Sequence, residues 1–330
     1  MIAFMFPGQG SQVPGMYRLL QPYEAEIQDV FDAASDASGK DVRQMCRSGS
    51  AQELLLTENT QVAVTAMSLA FCQILRGRGI VPDVVMGHSV GQYAAVVASG
   101  AMDLAGGFAL VVQRAQLMGQ VREEGALNAV SGLDYPAVQE VCRACCAVGL
   151  EVSVALYNSP TQIVVGGLKP HVEHAGRLFL DAGALRVTPL KVETAFHTPV
   201  MASMVPQFTS AVRQASVGGP RCAIILNCSG VATRRAADIV DDLIAQCCHA
   251  VLWAVGVKEL LTRADKQPLW VAEVGVGKTL AGLMRSIDRS QGVFSVSEPR
   301  QMAQFLAAVR LGPVDGENRA TGSSAPTSVP

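Results

Sequence analysis

Val84-Val85-Met86-Gly87-His88-Ser89-Val90-Gly91-Gln92-Tyr93-Ala94-Ala95 is the stretch that decides the fold. A β-branched pair opens a short buried strand, Gly-x-Ser-x-Gly makes a turn, and an alanine-rich helix follows. That order of elements is the nucleophile elbow, in which a sharp strand-to-helix turn lifts a serine Oγ above the sheet. Gly87 and Gly91 are needed because side chains there would strike the strand and helix packed around the turn. The amide of Val90, opening the helix, points where a tetrahedral oxyanion would form. The alternative is a strand–turn–helix connection that merely contains a serine.

Working outward, residues 2–6 read as a buried strand ending at Pro7-Gly8-Gln9-Gly10-Ser11-Gln12. Helical patterns follow near 22–36 and 51–56. Gln61 to Arg76 is apolar nearly all round, which marks a central helix, and a further helix runs from about Leu104 to Val121. Buried strands alternating with helices predict an α/β fold whose parallel sheet is covered on both faces. From Ala126 the texture changes. Strands at 127–130, 152–156, 162–165 and 185–192 and helices at 135–146 and 170–182 give the order β-α-β-β-α-β, the split βαβ arrangement. This predicts a small unit over 125–195 inserted into a larger one formed by 1–124 and 196–311. The chain returns with a helix near 199–215, a strand at 223–227, helices near 237–263 and a strand at 269–274. Residues 312–330 are rich in Ser, Pro and Gly and read as a disordered tail.

Composition narrows the function classes. The 330 residues are 49% hydrophobic and 16% charged, with a net charge of −2, which argues against nucleic-acid or membrane-surface binding. The N-terminus lacks a basic region and a signal-like apolar run, and no stretch approaches a membrane span. Nine cysteines, an odd number scattered through apolar segments, fit buried thiols of a reducing cytoplasm.

A serine nucleophile needs a base, and there are five histidines to weigh. His88 precedes the serine and points away from the turn tip. His171 and His174 lie on the outer helix of the small unit, and His249 sits near a helix end. His197, in Thr194-Ala195-Phe196-His197-Thr198-Pro199, stands where the small unit rejoins the large one and can face a cleft between them. Between Ser89 and His197 only Asp134 and Glu193 offer themselves as an orienting acid, and nothing singles them out. A backbone carbonyl can take that role, since it fixes the tautomer equally well. Arg114 shares a helix face with Val111 and Met118. A guanidinium on an apolar face needs an anion, either a carboxylate of the protein or one on a substrate.

Two patterns compete. Ala272-Glu273-Val274-Gly275-Val276-Gly277-Lys278-Thr279 fits a relaxed phosphate-binding loop, but Ala stands where the first glycine belongs. Cys142-x-x-Cys145 with His171-x-x-His174 mimics a zinc set, yet both pairs fall on helices, so no metal is expected.

Taken together, Phe6-Pro7-Gly8-Gln9-Gly10-Ser11-Gln12, Gly87-His88-Ser89-Val90-Gly91, Arg114, Asn158-Ser159-Pro160-x-Gln162, Ala195-Phe196-His197 and Glu273-Val274-Gly275-x-Gly277-Lys278 resemble the malonyl-CoA:acyl carrier protein transacylases, including free-standing acyltransferases of polyketide synthases. The resemblance runs to about residue 310. It implies an α/β-hydrolase-like large subdomain and a ferredoxin-like small one. It also implies malonyl transfer from malonyl-CoA to the phosphopantetheine thiol of an acyl carrier protein, without a cofactor, in fatty acid or polyketide synthesis. Ser89 would carry the acyl group and His197 would be its base. The backbone amides of Gln9 and Val90 would form the oxyanion hole, and Arg114 would clamp the malonyl carboxylate. Phe196 would crowd α-branched units, with Asn158 and Met118 also at the substrate, and the backbone carbonyl of Leu252 would orient the histidine. The family usually has Glu after the second elbow glycine, where this chain has Gln92. Other readings are an editing acyl-thioester hydrolase, a nucleotide-binding module at 272–279 and a non-catalytic carrier-protein binder. Arg43, Arg47, Arg186 and Lys191 are dispersed and mark no docking patch.

Overall fold

The computed structural model describes residues 1–192, 194–265 and 267–312. Its strands are β1 (Ile2–Phe6), β2 (Val84–Gly87), β3 (Gly125–Ser131), β4 (Val152–Ser159), β5 (Gln162–Leu168), β6 (Arg186–Pro189), β7 (Ala223–Ile225), β8 (Ala232–Thr233), β9 (Trp270–Glu273) and β10 (Val293–Ser295). They form a six-stranded sheet in the order β10-β9-β1-β2-β7-β8 and a four-stranded sheet in the order β4-β5-β3-β6. The fold is therefore mixed α/β with a parallel sheet, and only β8, antiparallel to β7, breaks the parallel run.

Strand β1 shows why the large sheet is covered on both sides. Phe4 and Phe6 enter the larger apolar cluster, with Val85 of β2, while Ala3 and Met5 enter a smaller one with Val84 and Met86. Successive side chains of a strand point to opposite faces, so a strand buried on both reads as one continuous apolar run. The larger cluster is built around the Thr57–Gly77 helix, which is buried on nearly every side. The Leu104–Gly119 helix packs against it and is started by Asp103, whose carboxylate accepts from the Gly106 amide at 2.8 Å.

The four-stranded sheet carries the Tyr135–Ala147 and Lys169–Asp181 helices on one face, around Val130, Ile163, Val165 and Phe179. Its other face presents Leu127, Ala155 and Val164 and, beside them, Leu156, Leu190 and Val192. The two sheets are stitched at β4. The Tyr157 amide donates to the Val251 carbonyl at 2.8 Å, and the Val251 amide donates to the Ala155 carbonyl at 2.9 Å.

Several boundaries differ from expectation. The strand read over 185–192 is shortened to β6, because Pro189 cannot continue a ladder, and the residues beyond it bend toward the site. The 199–215 helix begins as a 3-10 turn, Pro199–Met204, before Val205–Gln214. The Thr279–Ile287 helix follows the phosphate-loop-like segment as expected, whereas strand β10 and the Pro299–Leu311 helix were not anticipated. Among the described residues no helix is long and apolar enough to cross a membrane. The tail read as disordered lies outside the described residues beyond Gly312, as does Glu193.

The elbow glycines are required by close approach. A Cβ at Gly87 would lie 2.0 Å from the Gly91 backbone, and one at Gly91 would lie 2.2 Å from the Phe6 carbonyl oxygen. Overpacking of this kind typically costs about 1–3 kcal/mol or more. Gly91→Ala should accordingly lower the unfolding free energy by that amount, read as a lower urea midpoint at an unchanged m-value; an unaltered midpoint would contradict the packing described.

Candidate active site

Strand β2 ends at Gly87, and Ser89 sits at φ 54° before the Gly91–Ala98 helix. That left-handed conformation costs a non-glycine residue about 1–2 kcal/mol, and it turns the side chain out of the sheet. The Ser89 hydroxyl meets His197 Nε2 at 2.6 Å, and the Gln246 carbonyl meets His197 Nδ1 at 2.5 Å. A carbonyl only accepts, so Nδ1 carries the proton and Nε2 is left with the lone pair that the serine O–H needs. His197 is itself at φ 62° on the return from β6, and it is buried.

The Leu252 carbonyl does not orient the ring. It accepts the Val255 and Gly256 amides as the start of the Trp253–Ala264 helix, and is consumed there. Gln246 closes the Ala236–Ala245 helix, and the last carbonyls of a helix have no intrahelical partner. Gln246 is buried there, amid Ile244, Ala245, Cys247 and Cys248.

Arg114 comes from the Leu104–Gly119 helix and is 2% exposed. Its guanidinium donates to Gln61 Oε1 at 2.6 Å and, through Nη2, to Ser89 Oγ and Gln246 Oε1, each at 3.3 Å. It also lies over the Tyr93 ring. All of these partners are neutral, and among the described residues no carboxylate pairs with it. Of the two anions considered from sequence, the internal carboxylate is thus not present. Burying a cation without a counter-ion costs several kcal/mol, which an incoming anion would recover.

The space beside these groups is a cavity of about 130 Å³ bordered by Ser89, His197, Arg114, Gln9, Met118 and Phe196. That is the volume of about four waters, the scale of a three-carbon acyl unit. Leu127, Leu156, Leu190 and Val192 from the four-stranded sheet close its far wall. The Met118 thioether Sδ accepts from Gln61 Nε2 at 3.4 Å. The amides of Gln9 and Val90 meet no protein acceptor among the described residues. Asn158 is not on the cavity wall. Its side-chain carbonyl accepts from His88 Nε2 at 2.8 Å, and its Nδ2 donates to Gln162 Oε1, so it fixes His88, whose ring packs on Trp253. Gln61, Gln246 and the four aliphatic wall residues were missed from sequence because no motif marks them.

The competing patterns are absorbed elsewhere. The Glu273 carboxylate accepts from the Leu280 and Ala281 amides at 3.0 and 2.9 Å, so the helix N-terminus that a phosphate would occupy already holds an anion. Lys278 pairs with Glu298 at 3.1 Å. Cys142 and Cys145 are buried in the core of the four-stranded sheet, and His171 Nδ1 accepts from the Glu151 amide. Asp134 starts the Tyr135–Ala147 helix through the Ala137 amide. Among the described residues no group of three potential ligands could hold a metal ion.

A family model described as an acyl transferase domain matches residues 3–295. The chain belongs to the acyl transferase domain family. It is 32% identical over 311 residues to the malonyl CoA-acyl carrier protein transacylase of Bacillus subtilis (strain 168), a match covering 94% of this chain and 97% of that one. Among solved structures it is similar to a chain of the complex between a type II polyketide synthase acyl-carrier protein and its malonyl-transacylase. The TM-score is 0.87 at 30% identity, covering 93% of this chain and 99% of that one. The malonyl-CoA:acyl carrier protein transacylase of Xanthomonas oryzae pv. oryzae is equally similar in fold, with a TM-score of 0.87 at 33% identity, covering 93% and 97% of the two chains.

In this acyl transferase site the imidazole is kept neutral. Burial first, and then the Arg114 charge, press His197 down to about 3, against the pull of the Gln246 carbonyl. The unprotonated base is therefore the resting form from neutral pH far into the acid range. The rate constant kcat/KM for acylation by a thioester donor, which reports the free protein, should stay level from pH 8 to pH 5. An ordinary imidazole of pKa about 6.5 would retain only about 3% of its neutral form at pH 5. A titration midpoint near 6.5 in stopped-flow pH jumps would contradict the burial argument.

Proposed function

We propose that this chain takes a malonyl group from malonyl-CoA onto Ser89 and passes it to the phosphopantetheine thiol of an acyl carrier protein. The observation that carries this reading is Arg114, a buried cation with neutral partners only, 3.3 Å from the serine oxygen. A malonyl thioester places a carboxylate one methylene away from the carbonyl to be attacked, so one acyl unit can satisfy the guanidinium while presenting its carbon to Ser89. The names of the relatives, malonyl CoA-acyl carrier protein transacylases, and the carrier-protein complex among the structural neighbours agree with it. Fatty acid or polyketide synthesis is the setting this implies.

Two half-reactions follow. His197 Nε2 accepts the Ser89 proton as Oγ attacks the thioester carbon. The oxyanion is received by the Gln9 and Val90 amides, each worth about 3 kcal/mol in sites of this kind. When the intermediate collapses, the carbon–sulfur bond breaks, His197 returns its proton to the CoA sulfur, and a malonyl ester remains on Ser89. The carrier thiol then loses its proton to His197 and attacks the ester, and the Ser89 oxygen leaves with that proton. Gln246 holds the ring in the required tautomer throughout, and Phe196 crowds an α-methyl substituent. The steps use the chain's own groups and the two thioesters, with no cofactor.

In structural terms we read residues 1–124 and 196–311 as an α/β-hydrolase-like large subdomain, and residues 125–195 as a ferredoxin-like small one lying over the site. The free state of all nine cysteines suits a reducing cytoplasm, where CoA thioesters are made.

Incubation with malonyl-CoA should add one malonyl unit to the intact mass, and Ser89→Ala should abolish that gain; persistent labelling of the alanine variant would refute this serine. Release of the label should be fast with a phosphopantetheinylated carrier protein and slow with water. The reverse order would favour an editing hydrolase. Arg114→Ala should cut kcat/KM for malonyl-CoA by about 100-fold or more, since a hydrogen-bonded charge pair is worth roughly 3–5 kcal/mol when one partner is removed, while acetyl-CoA gains in relative use. Unchanged selectivity between the two donors would remove the clamp.

A further inference from the structure

Gln92 is fully buried, and Asn227 and Asp242 are each 4% exposed, yet none of the three borders the acyl cavity. They form a connected polar network beneath the elbow. The Ser89 amide donates to Asn227 Oδ1 at 2.9 Å. Asn227 Nδ2 donates to the Gly87 carbonyl and to Gln92 Oε1, each at 2.7 Å. One carboxamide therefore holds the residue two before the nucleophile, the nucleophile itself and the first turn of the following helix. Its acceptor and both of its donors are in use.

Asn227 is in turn fixed by Asp242. The Asn227 and Cys228 amides donate to Asp242 Oδ2 and Oδ1 at 2.9 and 2.8 Å, and Gln92 Nε2 faces Oδ2 at 3.5 Å. Asp242 lies four residues before Gln246, on the same side of the Ala236–Ala245 helix end. That helix end thus reaches the nucleophile through Asp242 and the base through the Gln246 carbonyl.

We infer that Gln92, Asn227 and Asp242 are positioning residues for Ser89, and that position 92 is a neutral amide because Asp242 supplies the only carboxylate of the network. With Glu at position 92, as the sequence resemblance leads one to expect, two carboxylates would face each other at about the present 3.5 Å in a buried site. Like charges so placed cannot both stay ionised, and one must take up a proton or move away. Either response pulls on the Asn227 carboxamide and hence on the serine backbone. Gln avoids this by accepting from Asn227 with its oxygen and offering its N–H groups to Asp242. The departure at position 92 and the acid at position 242 are one compensated arrangement.

The inference uses the proposed acyl transfer only for part of its assay. Ser89 reactivity is read independently with a fluorophosphonate probe, so failure of malonyl transfer and failure of the network are distinguishable. Gln92→Glu should slow probe labelling about tenfold, the scale of a small misplacement of a reacting group, and leave the KM for malonyl-CoA within about twofold of the parent. Adding Asp242→Asn should recover labelling at least roughly threefold, because coupled sites are not additive. Parental labelling by Gln92→Glu, or a double variant no faster than Gln92→Glu, would overturn the inference. If Gln92→Glu yields no folded protein, recovery of folded protein in the double variant reads the same coupling, and its absence overturns the inference likewise.

Discussion

A single buried imidazole, held between a hydroxyl and a carbonyl, is the interaction on which the rest depends. The Gln246 carbonyl accepts the hydrogen bond from Nδ1–H, which leaves the Nε2 lone pair to accept from the Ser89 hydroxyl 2.6 Å away. No acidic residue is needed for that arrangement, and burial makes it effective, because an exposed ring would be charged part of the time at physiological pH. The geometry asks much of the backbone. Both Ser89 and His197 adopt left-handed conformations, and the elbow glycines exist to let three segments approach within van der Waals contact.

Arg114 gives the site its chemical bias. It lowers the basicity of His197 by its charge and sits over Tyr93, with Gln61 and Gln246 bracing the guanidinium. Neutral braces fix its direction without cancelling its charge. A carboxylate of the protein in their place would have satisfied the cation and closed the site to an acidic acyl group. In the proposed function, selectivity would come from a counter-ion that the fold withholds from Arg114.

The elbow was legible because strand, turn and helix each have a local signal, and because glycine at positions 87 and 91 has a steric reason visible in the spacing. His197 was legible through its place at a chain crossing, and the β-α-β-β-α-β order of residues 125–189 followed from periodicity. The carbonyl on His197 was not. Backbone groups carry no sequence label, and the helix rule that leaves the Gln246 carbonyl free requires knowing where that helix stops. Asn158 was misplaced for a related reason: a motif fixes a neighbourhood, and only coordinates show that the amide turns to His88 rather than to the cavity. Gln61, Asn227 and Asp242 act across large sequence separations, so no window along the chain could bring them together.

The central claim is that the acyl unit on Ser89 is held by Arg114 at its far end. The most direct measurement is a crystal structure of the protein trapped after incubation with malonyl-CoA. The account predicts ester density on Ser89 Oγ, with the malonyl carboxylate within hydrogen-bond reach of both Arg114 Nη atoms and the ester carbonyl directed at the Gln9 and Val90 amides. Acyl density on another residue, or a carboxylate turned to solvent away from Arg114, would contradict it.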